Sequence, residues 1–157
     1  MSGSEGIVAR VVAKLDAANI AYQLTSHAPV FTSAEAAAVR GVSLHSGSKA
    51  LVLKAGDRFL LAVLPADLSL DSAALRGAIG TRKIRFATAE ELLELTGLAP
   101  GAVPPFGSLF GLETICDTRL GENAAINFNP GSHSQSLQMA YSDWERVESP
   151  TLVAIGR

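Results

Sequence analysis

The chain has 157 residues, 48% hydrophobic and 18% charged, a balance that supports one sizeable core and excludes a disordered chain. Its single cysteine, Cys116, excludes a disulfide framework and a multi-thiolate metal site, and points to a reducing, cytoplasmic setting. The net charge of −2 is unevenly spread: positions 49–85 carry about +4 and the remainder about −6, so a basic face for a phosphate backbone and a merely solvated edge are both open.

The start, Met1-Ser-Gly-Ser-Glu-Gly6, is polar and acidic where a secretory leader would be basic. No apolar run reaches the roughly 18 residues of a membrane helix, so no membrane association is expected. Ile7, Val8, Val11, Val12 and Leu15 share one helical face and predict an amphipathic helix over about 5–18. Ala21 to Thr25 reads as a strand. Thr32-Ser-Ala-Glu35 is a capping box that opens an Ala-rich helix closed by Gly41. Lys49–Lys54 and Arg58–Leu64 form a predicted hairpin turning at Ala55-Gly-Asp57, ended by Pro65.

Asp71 is placed to cap a short helix stopping near Gly77, before a basic strand over Thr81–Phe86. Thr88-Ala-Glu-Glu91 is a second capping box, with Gly97 as its helix end. Leu98 to Gly107 holds three prolines and must be an ordered loop. Ala124–Asn129 and Ser136–Tyr141 read as strands joined through Pro130-Gly-Ser-His133. Ser142 is placed to cap a helix through Trp144, and Leu152–Ile155 offers a last strand. Tight turns between neighbouring strands, with helices interspersed, predict one α+β domain over 1–157 that is mixed and largely antiparallel.

The chain lacks a G-x-S-x-G elbow, an H-E-x-x-H pair and a P-loop, and His27, His45 and His133 are not at ligand spacing. Cys116, within the apolar run Thr114-Ile-Cys-Asp117, suits a buried side chain better than a nucleophile. Three places remain. Gly101-Ala-Val-Pro-Pro105-Phe-Gly107 joins a flexible start to a rigid end, which suits aimed backbone N–H groups or a packed connection. Asn129-Pro-Gly-Ser-His-Ser134 is too polar for core, so His133 is either a ligand-binding side chain or an exposed turn residue. Lys49 opens a strand whose alternating partners Leu51 and Leu53 are apolar, which puts its ammonium at a pocket mouth or in solvent.

These places carry a resemblance. His27-Ala-Pro-Val-Phe-Thr-Ser-Ala-Glu-Ala36, followed by Ser48-Lys-Ala-Leu-Val-Leu-Lys54, resembles the opening of the YbaK/prolyl-tRNA-synthetase-associated editing domains, where a lysine equivalent to Lys49 sits at the active site. Pro100-Gly-Ala-Val-Pro-Pro105 is similar to the family's GxxxP loop, matched by Gly101 and Pro105, and Asn129-Pro-Gly-Ser-His133 resembles its glycine-containing active-site turn. The match runs over about 5–150; no single motif is specific, but the ordered set is.

The resemblance implies a mixed, curved β-sheet surrounded by helices. It also implies a free-standing deacylase that hydrolyses the ester of mischarged tRNA at its acceptor end, with no metal or organic cofactor and with an aminoacyl-tRNA synthetase as a further partner. Lys49 would pair with phosphate or ribose, and the amides of Gly101–Pro105 would hold the ester carbonyl. Gly131, Ser132 and His133 would line the amino-acid pocket or position the terminal adenosine. Thr32 and Ser33 would border the pocket, although a helix cap explains both equally well. Ser134-Gln-Ser-Leu-Gln138 departs from the more charged pattern of the cysteinyl-tRNA(Pro) deacylase, so that specificity does not carry over. The alternative is a non-catalytic nucleic-acid or synthetase-binding module of the same fold, motivated by the basic stretch Arg76–Arg85.

Overall fold

A computed structural model describes residues 3–157. Helix α1 spans Gly3–Ala17 and buries Ile7, Val11 and Leu15 at the period expected of an amphipathic helix. Strand β1 (Tyr22–Ser26) leads to α2 (Ser33–Arg40), whose capping box forms as read: Thr32 Oγ1 accepts from the Glu35 N–H at 3.1 Å, and Glu35 Oε1 accepts from the Thr32 N–H at 3.1 Å. Strands β2 (Ser48–Ala55) and β3 (Arg58–Pro65) form the hairpin, closed by the pair Ala55 and Arg58.

Helix α3 runs over Ser72–Ile79, two residues past the expected stop. Gly77 stays helical at a cost of about 1 kcal/mol relative to alanine, because Leu75 and Ile79 both reach the core and hold the period. Gly80, left-handed at φ 69°, ends the helix instead. Strand β4 is only Ile84–Phe86, and α4 (Ala89–Thr96) carries the second capping box. After the ordered loop come β5 (Glu113–Cys116), β6 (Ala125–Phe128) and β7 (Gln135–Ala140).

Strand β7 runs straight into α5, which spans Tyr141–Glu148, so the cap position falls on Ala140 and Ser142 lies inside the helix. Buried Trp144 and the partly buried Val147 extend its apolar face beyond the expected end. The last strand, β8, is Thr151–Leu152, shorter than expected and one residue earlier. The reason is Asp117. Its buried carboxylate accepts from the N–H groups of Ile155 and Gly156 at 2.8 and 2.7 Å, which bends the chain off the sheet.

The strands form two sheets, ordered β4-β2-β3-β5-β8 and β1-β7-β6, which meet through a bridge between Gly47 and Asn127. The pairs β3–β5 and β5–β8 are parallel and all other strand pairs are antiparallel, which is the mixed α+β class expected. The five-stranded sheet is covered on both faces. Val52, Leu61 and Val63 pack into the larger core with α1, Phe106, Phe128 and Trp144, while Leu53, Leu60 and Ala62 pack under Leu75 of α3. Two-sided burial explains why Phe59–Leu64 reads as one unbroken apolar run.

Candidate active site

Helix α2, the first residues of β2 and the loop after α4 converge on a cavity of about 210 Å³. Its lining includes Thr32, Ser33 and Arg40 from the first, Ser48, Lys49 and Ala50 from the second, Gly101 and Val103 from the third, and Asn129. Lys49 is half-buried, and burial lowers its ammonium below the ordinary lysine range while the Asp67 carboxylate opposes that shift. Asp67 is itself bonded to His45 at 2.9 Å, and no ion pair reaches Lys49 among the described residues.

The loop narrows to two useful donors. Gly101 is left-handed at φ 87°. The Ala102 N–H is taken by the Ala99 carbonyl at 3.2 Å and the Phe106 N–H by the Pro104 carbonyl at 2.8 Å. Prolines have no N–H, so the N–H groups of Gly101 and Val103 are left without a protein acceptor among the described residues. Both residues line the cavity. Pro105 lies buried outside that lining, where its carbonyl accepts from Trp144 Nε1 at 2.8 Å and pins the loop to α5.

A directed chain of hydrogen bonds holds the loop from the other side. Asn129 Nδ2 donates to the Gly101 carbonyl at 2.8 Å, and Arg40 Nη2 donates to Asn129 Oδ1 at 3.1 Å, which fixes the amide's orientation. Arg40 Nε also donates to Ser136 Oγ at 2.7 Å. His27 Nδ1 donates to the Ala28 carbonyl at 2.8 Å, since a carbonyl only accepts, and its Nε2 lies 2.7 Å from the same Ser136 Oγ. Burial lowers the Arg40 guanidinium to about 10, which leaves it charged at neutral pH, and no carboxylate pairs with it among the described residues.

Thr32 and Ser33 border the cavity, and Thr32 is also the cap of α2. Gly131, Ser132 and His133 do not line it. His133 Nδ1 donates to the Val30 carbonyl at 3.1 Å and its ring lies 4.8 Å from that of Phe31, a lining residue, so the turn supports the wall from behind. Sequence reasoning gave no role to Arg40, Asn129 or Ser136. Arg40 in the last turn of a helix reads as an ordinary dipole partner, and only its burial marks it out. The Cys116 thiol is fully buried, and burial pushes it up to about 12, so it supplies no thiolate at neutral pH. Among the described residues no cluster of three or more His, Cys, Asp and Glu is placed to hold a metal ion.

The family model for the aminoacyl-tRNA editing domain matches residues 27–147, and the chain belongs to that family. It is 32% identical over 153 residues to the multifunctional Ser/Thr-tRNA deacylase ProXp-y of Escherichia coli (strain K12), covering 94% of this chain and 92% of that protein. It is 31% identical over 143 residues to the prolyl-tRNA editing protein ProX of Acetoanaerobium sticklandii, covering 87% of each. A solved structure described as a candidate trans-editing enzyme for prolyl-tRNA synthetase superposes with a TM-score of 0.85 at 22% identity, over 96% of this chain and 97% of that one, a likeness of fold.

Proposed function

We propose that the chain is an aminoacyl-tRNA deacylase that acts in trans in the cytoplasm, hydrolysing the ester at the acceptor end of mischarged tRNA. The observation that carries this reading is the cavity lined by Lys49, Gly101 and Val103, the last two with N–H groups that no protein acceptor takes among the described residues, in a chain of the editing family. Water, oriented by the neighbouring ribose hydroxyl, attacks the ester carbonyl carbon and gives up a proton. The Gly101 and Val103 N–H groups donate to the carbonyl oxygen as it gains charge, which strengthens in the transition state. The bond from carbonyl carbon to ribose oxygen then breaks, the ribose oxygen takes a proton, and amino acid and tRNA part. An aminoacyl ester is already activated, so orientation and charge stabilisation suffice without a protein nucleophile.

Lys49 and Arg40 supply positive charge for the phosphate and ribose of the terminal nucleotide. Thr32 and Ser33 border the bound end, and the Gly131–Ser132–His133 turn sets Phe31 and Gly101 in place. The test is a deacylation screen against alanyl-, cysteinyl-, seryl- and threonyl-tRNAs beside Lys49→Ala. Loss of ester with the wild type and not the variant supports the reading, and silence across the panel with working controls sinks it.

A second reading is a non-catalytic RNA-binding module. Its motive is a shallow basic depression formed by Lys54, Arg82, Lys83 and Arg85, of which, among the described residues, Arg85 alone is ion-paired, to Glu91. It predicts salt-sensitive RNA binding that survives Lys49→Ala, with no turnover by the wild type.

A further inference from the structure

The edge of β2 is interrupted beside the cavity. Strand β4 pairs with β2 only at Leu53–Ala55, and the Ala87 N–H adds one bond to the Val52 carbonyl at 2.9 Å. A residue in an antiparallel strand directs its N–H and C=O to the same side, and the side alternates along the chain. Val52 therefore faces away from β3, and so does Ala50. Val63, the partner of Ala50 in the hairpin, confirms the phase, because its carbonyl accepts from the Asp117 N–H at 2.8 Å on the far side of β3. The N–H and C=O of Ala50 thus point out of the open edge and meet no protein group among the described residues.

That edge lies between two cavities. Ala50, Leu51, Gly101 and Val103 line both the cavity of Lys49 and a neighbouring one of about 240 Å³, walled by Phe86, Leu92 and Pro100. Unpaired strand groups are a template for one more strand. A free aminoacyl group is the shortest strand that can dock there, since its α-ammonium donates and its carbonyl accepts.

Resting on the deacylase reading, we infer that Ala50 binds the main chain of the aminoacyl group as one antiparallel residue: the Ala50 carbonyl accepts from the α-ammonium, and the Ala50 N–H donates to the ester carbonyl. The carbonyl oxygen of the ester then has donors on two sides, the Ala50 N–H on one and the N–H groups of Gly101 and Val103 on the other. Recognition through main-chain atoms ignores the side chain, which is left to the apolar walls of the second cavity. It requires a donor on the α-carbon, so esters without one bind poorly. Lys49 does not repel the ammonium at close range, because consecutive side chains leave opposite faces of a strand and the backbone groups of Ala50 lie in its plane.

The experiment uses stable analogues and reads binding, so it stands apart from turnover. Adenosine carrying a 3′-amide-linked alanyl or seryl group is titrated into ¹⁵N-labelled protein beside its desamino counterpart, a propionyl or 3-hydroxypropionyl group. The expected result is at least ten-fold tighter binding of the amino form, with a shifted Ala50 amide resonance. Equal affinities, no binding of either form, or an Ala50 amide that does not move would overturn the inference. Ala50→Pro deletes an N–H that no ladder bond uses, as edge positions tolerate, and should weaken the amino form at least ten-fold, whereas Ala50→Gly retains the preference. A folded Ala50→Pro protein that binds like wild type also overturns it. Failure of the tRNA screen with this preference intact would remove the deacylase reading and leave the subsite.

Discussion

Lys49 and Gly101 act on the same cavity through different physics. Lys49 provides charge, so Lys49→Ala should lower deacylation by about 10–1000-fold while the melting temperature stays near wild type, measured with the preferred aminoacyl-tRNA. The burial that lowers its pKa also sets a sign. Its ammonium is charged at neutral pH and deprotonates on the alkaline side earlier than a free lysine, so acceleration over the spontaneous rate should decline there in wild type and not in Lys49→Ala. Gly101 provides shape. A Cβ on it would sit 3.1 Å from His133 Cε1 and would force a side chain into a left-handed backbone. Gly101→Val should therefore impair turnover more than tRNA binding; equal loss of both would make the loop purely structural. Cys116 is the contrast: Cys116→Ala should leave the rate within about two-fold, and alkylating reagents should not react with the native wild type at neutral pH.

At the scale of elements, the site is assembled by contacts between parts that are distant in sequence. Arg40 at the end of α2 holds Asn129 beyond β6, and Asn129 holds the loop after α4. Arg40→Lys keeps the charge but cannot make both divergent bonds, and should cost about ten-fold in turnover, within the range for a charged hydrogen bond. If the rate is unchanged, the chain from Arg40 to Gly101 does not position the loop. Local signals were legible because they are chemically local: both capping boxes, the hairpin and the two loops form where the residues placed them. What the sequence hid is long-range. Nothing near Asp117 announces that it captures the N–H groups of Ile155 and Gly156, and nothing near Ala50 shows that β4 stops short of it.

At the scale of the molecule, Asp117 ties the C-terminal segment to the five-stranded sheet. Burial alone would raise its pKa, but hydrogen bonds from Arg119, Gly156 and Ile155 outweigh it and hold the carboxyl at about 2. A carboxyl depressed on folding contributes stability above its unfolded value of about 3.9 and loses it as pH falls toward the folded value. That contribution is about 2 kcal/mol. Wild type should show it as a fall in denaturation midpoint between about pH 4 and pH 2, and Asp117→Asn should be destabilised at pH 7 with a flatter profile over that window. A parallel profile for the two proteins would contradict this. The α+β class and most of the element order follow from patterns along the chain, whereas the division into two sheets depends on pairings that no window of sequence contains.

The register of the smaller sheet has a consequence for how the protein is made. Strand β1 lies against β7, with Tyr22 opposite Met139, so its partner leaves the ribosome long after it does. The β2–β3 hairpin closes early through neighbouring residues, but the cavity needs Asn129 and the wall supported by His133, which arrive late. An incomplete nascent chain therefore exposes a formed hairpin with an open flank and no finished site. Its slow step should be the closing of β1 onto β7, so mutations in that pair should alter the refolding rate more than those at the hairpin turn.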